Sequence, residues 1–446
     1  MPFVIALLYL ATAYLGPSTL FGPLAAAHIE LILAALALFV SLPALQGSLI
    51  WKTPQSLALI GLAFAVLLSI LTTGWAGGAM MGFLTFIPSA FAYFLVCLHC
   101  NSKKRIQLLI LMLLFVCLFV IARGYYDLQQ GLTDSDYLFA QSNDAGEVFY
   151  RIRGQDFIND PNDFAQLIVC VVPLVFIFWR PKKILKNVTF VIVPECLLLF
   201  GAFLTHSRGS VLALLAIVVV AARRRIGTLP SLLLAVGLFV GASALHFTGG
   251  REISAESGSG RMDLWAGGMQ ALKSHPLFGV GFGQLPDYIG MTAHNSVVVC
   301  AAELGLIGLY FWSLFVFPTL RAVLAIASPA KVSEGEQVVI EKAPRPFLRL
   351  TVGIEELDKT EINRLGRLML LSLTGFLVAA WFLSRAFVMT LFLLGGLVEV
   401  IFEMARRRSM IAPRMPIGKL LRYAGGFTFS LLVLTYVVLR VGNLFR

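Results

Sequence analysis

The chain has 446 residues, 58% hydrophobic and only 13% charged. A soluble domain carries about a quarter of its residues as charges, so a soluble globular fold is excluded. The formal net charge of +11 sits in short loops between apolar runs, not in an aromatic-interleaved basic patch. That excludes a nucleic-acid partner and points to membrane topology and anionic lipid headgroups.

Apolar runs near the ~20 residues that cross a bilayer recur from end to end. Runs such as LILAALALFV do not alternate with period two, which excludes a transmembrane β-barrel. Helices satisfy their own backbone groups in lipid. The fold class is therefore all-α, a polytopic membrane protein of about 12–13 transmembrane helices. Residues 1–446 read as one integral membrane domain.

The first five spans are predicted near 3–22, 25–45, 56–73, 78–98 and 105–122. No basic segment precedes the first span, which reads as an uncleaved anchor. Lys52 follows the second span and Lys103-Lys104-Arg105 the fourth. By the positive-inside rule both lie in the cytoplasm, and the N-terminus with them. Loop 123–163 then falls on the opposite, translocated side, with three basic residues (Arg123, Arg151, Arg153) against eight acidic ones. At its end, Asp160 or Asn162 is placed to N-cap the next helix, with Pro161 in the first turn.

The next spans are predicted near 164–179, 187–205, 209–222 and 228–247. Arg180, Lys182, Lys183 and Lys186, and later Arg223-Arg224-Arg225, fall on the cytoplasmic side. The turn Thr205-His206-Ser207-Arg208-Gly209 falls on the other. A cation at membrane depth costs several kcal/mol without a partner or water. A guanidinium fork matches a phosphate, and Ser207 and Gly209 leave room for close approach. Arg208 is therefore read as an anion ligand, against the alternative of an arginine snorkelling to the interface.

Loop 248–293 is expected on the same translocated side, with Arg251, Arg261 and Lys273 against four acidic residues. Met262, Trp265, Met269 and Leu272 recur at helical spacing, as in an interfacial amphipathic helix. Arg261 turns away from that stripe and is a second candidate anion ligand. Gly279-Val280-Gly281-Phe282-Gly283 follows no strand and opens no βαβ unit, so it reads as a tight turn and not a dinucleotide loop. His294-Asn295 open the tenth span, near 294–318. A histidine there is a candidate general base, and Asn295 beside it a candidate substrate ligand. Glu303, an intramembrane carboxylate, is a functional candidate by its position.

Loop 319–365 is rich in both signs and is expected in the cytoplasm, with a helical piece on the membrane surface. Spans near 366–383, 386–403 and 420–439 complete the chain, and Arg406-Arg407-Arg408 follows the twelfth. Cys97 and Cys100 form a CxxC without a second pair, and the histidine spacing fits no metal template. Neither a metal nor a cofactor is expected.

In order over residues 155–310, the chain carries DPNDFAQ, THSRGSVLALLA, SGRMDLW, HPLFGVGFGQ and AHNSVVVCAAELGLIG. Through this series it resembles the O-antigen ligase and polymerase superfamily. The resemblance implies a GT-C-like glycosyltransferase of the bacterial inner membrane. It implies a glycan donor on undecaprenyl pyrophosphate and transfer on the periplasmic face. A ligase passes the glycan to a lipid A-core sugar, and a polymerase passes it to another glycan. By motif match, Arg208 and Arg261 bind the pyrophosphate and His294 activates the acceptor hydroxyl, with inversion and without a metal. Arg151 and Arg153 enter as further substrate ligands that no motif anchors. The thirteenth span and loop 319–365 depart from the twelve-span plan the resemblance implies. Two alternatives stand beside this reading: an exopolysaccharide polymerase of the same superfamily, and a membrane transporter. A transporter would show paired interrupted helices in two related halves, and the sequence shows no such pairing.

Overall fold

The computed structural model describes residues 1–17, 23–24, 27–46, 48, 50–142, 146–244, 255–328 and 354–444. Each predicted apolar run carries a helix. In chain order these are α1 (Pro2–Leu15), α2 (Ile29–Gln46), α3 (Pro54–Leu71), α4 (Ala76–His99) and α5 (Lys103–Gln129). Then come α6 (Pro161–Phe178), α7 (Ile184–Leu204), α8 (Arg208–Ile226) and α9 (Thr228–Ala244). The amphipathic α10 (Ala255–Ser274) and the short α11 (Leu285–Ile289) precede α12 (Ser296–Ala327), α13 (Lys359–Trp381), α14 (Met389–Arg407) and α15 (Ile417–Leu444). Among the described residues, eight helices are long and apolar enough to cross a membrane: α3 to α7, α12, α13 and α15. The protein is an all-α polytopic membrane protein.

The helix starts follow local chemistry. Thr53 caps α3, Ser102 caps α5, Asp160 caps α6 and Ser207 caps α8. Each side-chain oxygen takes a backbone N–H that the helix cannot satisfy. Pro161 follows Asp160 at the first helical position, where its missing N–H costs nothing. The loop after α5 adds one antiparallel hairpin, β1 (Leu138–Ser142) with β2 (Val148–Ile152), pairing Phe139 with Arg151.

Helix α12 is the hub. It packs against α3, α10, α13, α14 and α15, and it is broken in its middle: Gly305 has φ 65° and ψ −165°. A break frees backbone groups that lipid cannot hydrate. The chain between α10 and α11 takes them up. Val280 N donates to Ala302 O at 2.9 Å and Gly281 N to Glu303 O at 3.1 Å, while Leu306 N donates to Pro276 O at 2.8 Å. The Glu303 carboxylate accepts the N–H groups of Gly283 and Leu285. Glu303 thus anchors the glycine turn. The expected tight turn is a plug in a broken helix.

The apolar stripe of α10 faces protein rather than a lipid interface. Trp265 is buried in a cluster with Val280, Leu285, Val298, Ala302 and Leu439. Gly267 and Gly268 permit that approach, since a Cβ on Gly268 would sit 2.4 Å from Val298.

Basic residues gather at the other end of the bundle and close helix C-termini, where a cation meets unsatisfied carbonyls. Arg364 donates to Phe176 O at 2.6 Å and Trp179 O at 3.0 Å. Arg224 reaches Ala327 O at 3.1 Å, and Lys103 pairs with Glu361 at 2.9 Å. The segment expected as loop 319–365 is helical at both ends, because α12 continues to Ala327 and α13 begins at Lys359. Ile362 and Leu365 are buried and Asn363 Nδ2 donates to Ile326 O at 3.0 Å, so this piece belongs to a span and not to the membrane surface. Its centre, 329–353, lies outside the described residues, as does the start of the 248–293 loop.

A graded stability test follows from the plug. A Cβ at Gly305 would lie 2.3 Å from Leu277 O, whereas one at Gly283 (φ 73°) meets nothing within 4 Å. Gly283→Ala carries only backbone strain, about 1–3 kcal/mol. Gly305→Ala carries that strain and the clash together. In thermal melts of detergent-purified protein, Gly305→Ala is expected to lower Tm well beyond Gly283→Ala. Equal shifts would remove the plug from this role.

Candidate active site

Three separated segments build the site. The first is the turn between α7 and α8. Here His206 adopts φ 47°, a left-handed conformation that is uncommon outside glycine. Arg151 holds the turn in place: its Nε donates to Thr205 O at 2.6 Å. Its Nη atoms reach Gln141 Oε1 at 2.8 Å and Asn162 Oδ1 at 2.9 Å. Arg151 is buried and clamps the hairpin, the α7–α8 turn and the start of α6 together. Arg208 follows at the first position of α8, where a cation opposes the helix dipole and a bound anion would offset that cost.

Arg153 serves its own loop. Its Nε donates to Asp136 O at 2.9 Å, and its guanidinium lies over the Phe139 ring.

The second segment is α10. Its stripe fixes the helix against α12, and Arg261 is left half-buried on another face. Burial and then the neighbouring Arg208 push the Arg261 guanidinium below its ordinary pKa. The two arginines, 53 positions apart in sequence, are therefore close enough to repel. Two half-buried guanidinium groups near each other are candidate ligands for a multivalent anion.

The third segment is Thr292–Ser296, laced to the loop between α13 and α14. His294 N donates to Ser384 Oγ at 2.8 Å, Ser296 Oγ donates to Leu383 O at 2.7 Å, and Arg385 N donates to Ser296 Oγ at 2.9 Å. Thr292 also bonds Ser384. Asn295 caps α12 through Val297 N at 2.9 Å and Val298 N at 3.0 Å, and its Nδ2 donates to Trp381 O at 3.0 Å. Fully buried, it is used as a cap and a tie. His294 itself stands at φ 50°, so the seam holds a strained residue.

The electrostatics of His294 identify its surroundings. Burial lowers its pKa from the ordinary 6.5, and Arg261 lowers it further; Asp160 acts the other way, and Arg385 adds a smaller lowering. A neutral imidazole at neutral pH, with a carboxylate to stabilise its protonated form, suits a general base. The structure thus brings Arg208, Arg261 and His294 into one region, with Asp160 and Arg385 beside them. Arg151 and Arg153 border it through protein contacts.

Two of these groups were not legible as site residues in the sequence. Asp160 read only as a helix cap, a role that it also performs. Arg385 stands among span residues with no motif around it, and only the seam carries it to His294. Among the described residues, no group of three or more His, Cys, Asp or Glu side chains has metal-binding geometry.

No curated protein matches the chain. A family model described as O-Antigen ligase matches residues 196–313, a stretch that holds Arg208, Arg261 and His294. Residues 196–313 are therefore similar to that family, and they hold four of the five ordered motifs, from THSRGSVLALLA to AHNSVVVCAAELGLIG.

Proposed function

We propose that this protein is an inverting, metal-independent glycosyltransferase of the bacterial inner membrane. It takes a glycan from undecaprenyl pyrophosphate on the periplasmic face and passes it to a sugar hydroxyl of lipid A-core, as an O-antigen ligase does. The observation that carries the reading is the convergence of Arg208, Arg261 and His294 from three segments far apart in sequence. The orientation rests on the positive-inside distribution of the cations.

Each group has one task in this reading. Arg208 and Arg261 neutralise the pyrophosphate and make it a leaving group. His294 takes the proton of the acceptor hydroxyl as the oxygen attacks the anomeric carbon. Asp160 stabilises the imidazolium that results. Arg151 sets the turn that presents Arg208. A single displacement on the face opposite the pyrophosphate inverts the anomeric centre. The same donor chemistry serves a polymerase, which differs in accepting a second glycan repeat, so an acceptor panel separates the two.

In a reconstituted assay with a lipid-linked glycan donor, His294→Ala is expected to lower kcat by about 10²–10⁴-fold. Arg208→Ala is expected to raise the donor KM as well. Wild-type transfer rates in folded His294→Ala and Arg208→Ala proteins would refute the site. EDTA is expected to leave activity unchanged, and its loss with rescue by a divalent cation would overturn the metal-free mechanism.

A pH profile provides a further check. His294 must be neutral to act, and burial and Arg261 hold its pKa below 6.5. Activity should therefore persist at neutral pH and fall as pH drops through that lowered value. Asp160→Asn keeps a good helix cap but removes the charge that favours the protonated ring. The acid limb should then move to lower pH, with a reduced kcat. A limb that stays or rises would exclude Asp160 as the partner of His294.

A further inference from the structure

Arg385 sits in the loop between α13 and α14, and two elements hold it. Its backbone N–H donates to Ser296 Oγ at 2.9 Å at the start of α12. Its Nε donates to Asp163 Oδ1 in the first turn of α6. Its neighbour Ser384 accepts the backbone N–H of His294 at 2.8 Å. The Asp163 bond is made by Nε, and among the described residues neither Nη group has a hydrogen bond, which leaves donors for another acceptor. The pair is also lopsided: the Asp163 side chain is 4% exposed and that of Arg385 35%. The cation is therefore partly exposed while its counter-ion is buried. Asp163 Oδ2 is buried without a hydrogen-bond partner among the described residues. The polar contact that the described residues give this carboxyl group is therefore the one between Oδ1 and Arg385.

We infer that Arg385 is the ligand for the charge that develops on the departing pyrophosphate, held ready beside His294 by Asp163. This rests on the transferase reading above. In the proposed step, the acceptor oxygen bonds to the anomeric carbon and gives its proton to His294. The anomeric C–O bond breaks, and its electron pair stays on the terminal phosphate oxygen. The donor linkage carries about two negative charges, matched by Arg208 and Arg261; bond breaking adds one more. A third guanidinium then acts on product and transition state more than on donor. Asp163 partly offsets that guanidinium while the charge is absent.

The test compares full-length wild type, Arg385→Met and Arg385→Lys, each checked by thermal melting, for transfer kinetics and for inhibition by undecaprenyl pyrophosphate. Arg385→Met is expected to lose about 100-fold in kcat, with the donor KM within about threefold of wild type. Its inhibition constant for undecaprenyl pyrophosphate should rise about tenfold. Arg385→Lys keeps the charge without the fork and should recover part of kcat; it carries the test if the Met variant does not fold. A purely structural role would lower the active fraction without separating donor from product. Unchanged product inhibition and kcat in a folded Arg385→Met protein would overturn the assignment while leaving the transferase reading intact. A wild type that neither transfers nor binds the pyrophosphate lipid would bring down both.

Discussion

A peptide group inside a bilayer has no water to bond, so a helix broken there must find new partners for the groups it frees. The break of α12 at Gly305 meets that requirement with the 276–283 turn, which bonds Ala302 O, Glu303 O and the Leu306 N–H. The arrangement fixes more than the turn. Its N-terminal side delivers α10 and Arg261, and its C-terminal side leads through α11 to His294. Phe282, at the tip, packs against Phe86 and Phe387, and its N–H donates to Ser69 Oγ at 3.1 Å. One backbone repair therefore ties the central helix, the amphipathic helix and the proposed base into one rigid unit.

Rigidity matters because the site holds conformations that are costly alone. His206 and His294 both stand at positive φ. Residues in such conformations persist when their surroundings over-determine them. Arg151 does this for the first, and the Ser384–Ser296–Asn295 seam does it for the second. Most polar side chains near the site hold its geometry, which leaves few to meet a substrate. Such division of labour is expected where groups must be kept within fractions of an ångström.

The charge pattern follows the same logic. Two arginines are set close enough to disturb one another, and one of them opposes a helix dipole. A bound anion would relieve the repulsion between them. Two carboxylates lie at a single helix start: Asp160 caps α6 and acts electrostatically on His294, and Asp163 pairs with Arg385. The proposed transfer uses the imbalance: an anionic donor completes the site, and the proton released during transfer has an acceptor beside it.

Much of this architecture was written in the sequence. Long apolar runs and cations at alternate loops specify membrane helices, because burial in lipid and backbone satisfaction are local demands. The Arg208, Arg261 and His294 motifs were visible as polar islands in an apolar chain. Caps such as Asp160 were legible because their chemistry involves neighbours in sequence. Other features depended on contacts between distant segments. The sequence did not show that the Trp265 stripe meets α12, that Glu303 holds a turn, or that Asn295 and Arg151 are committed to structure. It gave no sign of Arg385, whose placement depends on a seam between residues almost 90 positions apart, such as Arg385 and Ser296. Hydropathy and local chemistry select the helices and their ends; only packing decides which loops meet at one mouth, because that choice is made by side chains remote in sequence.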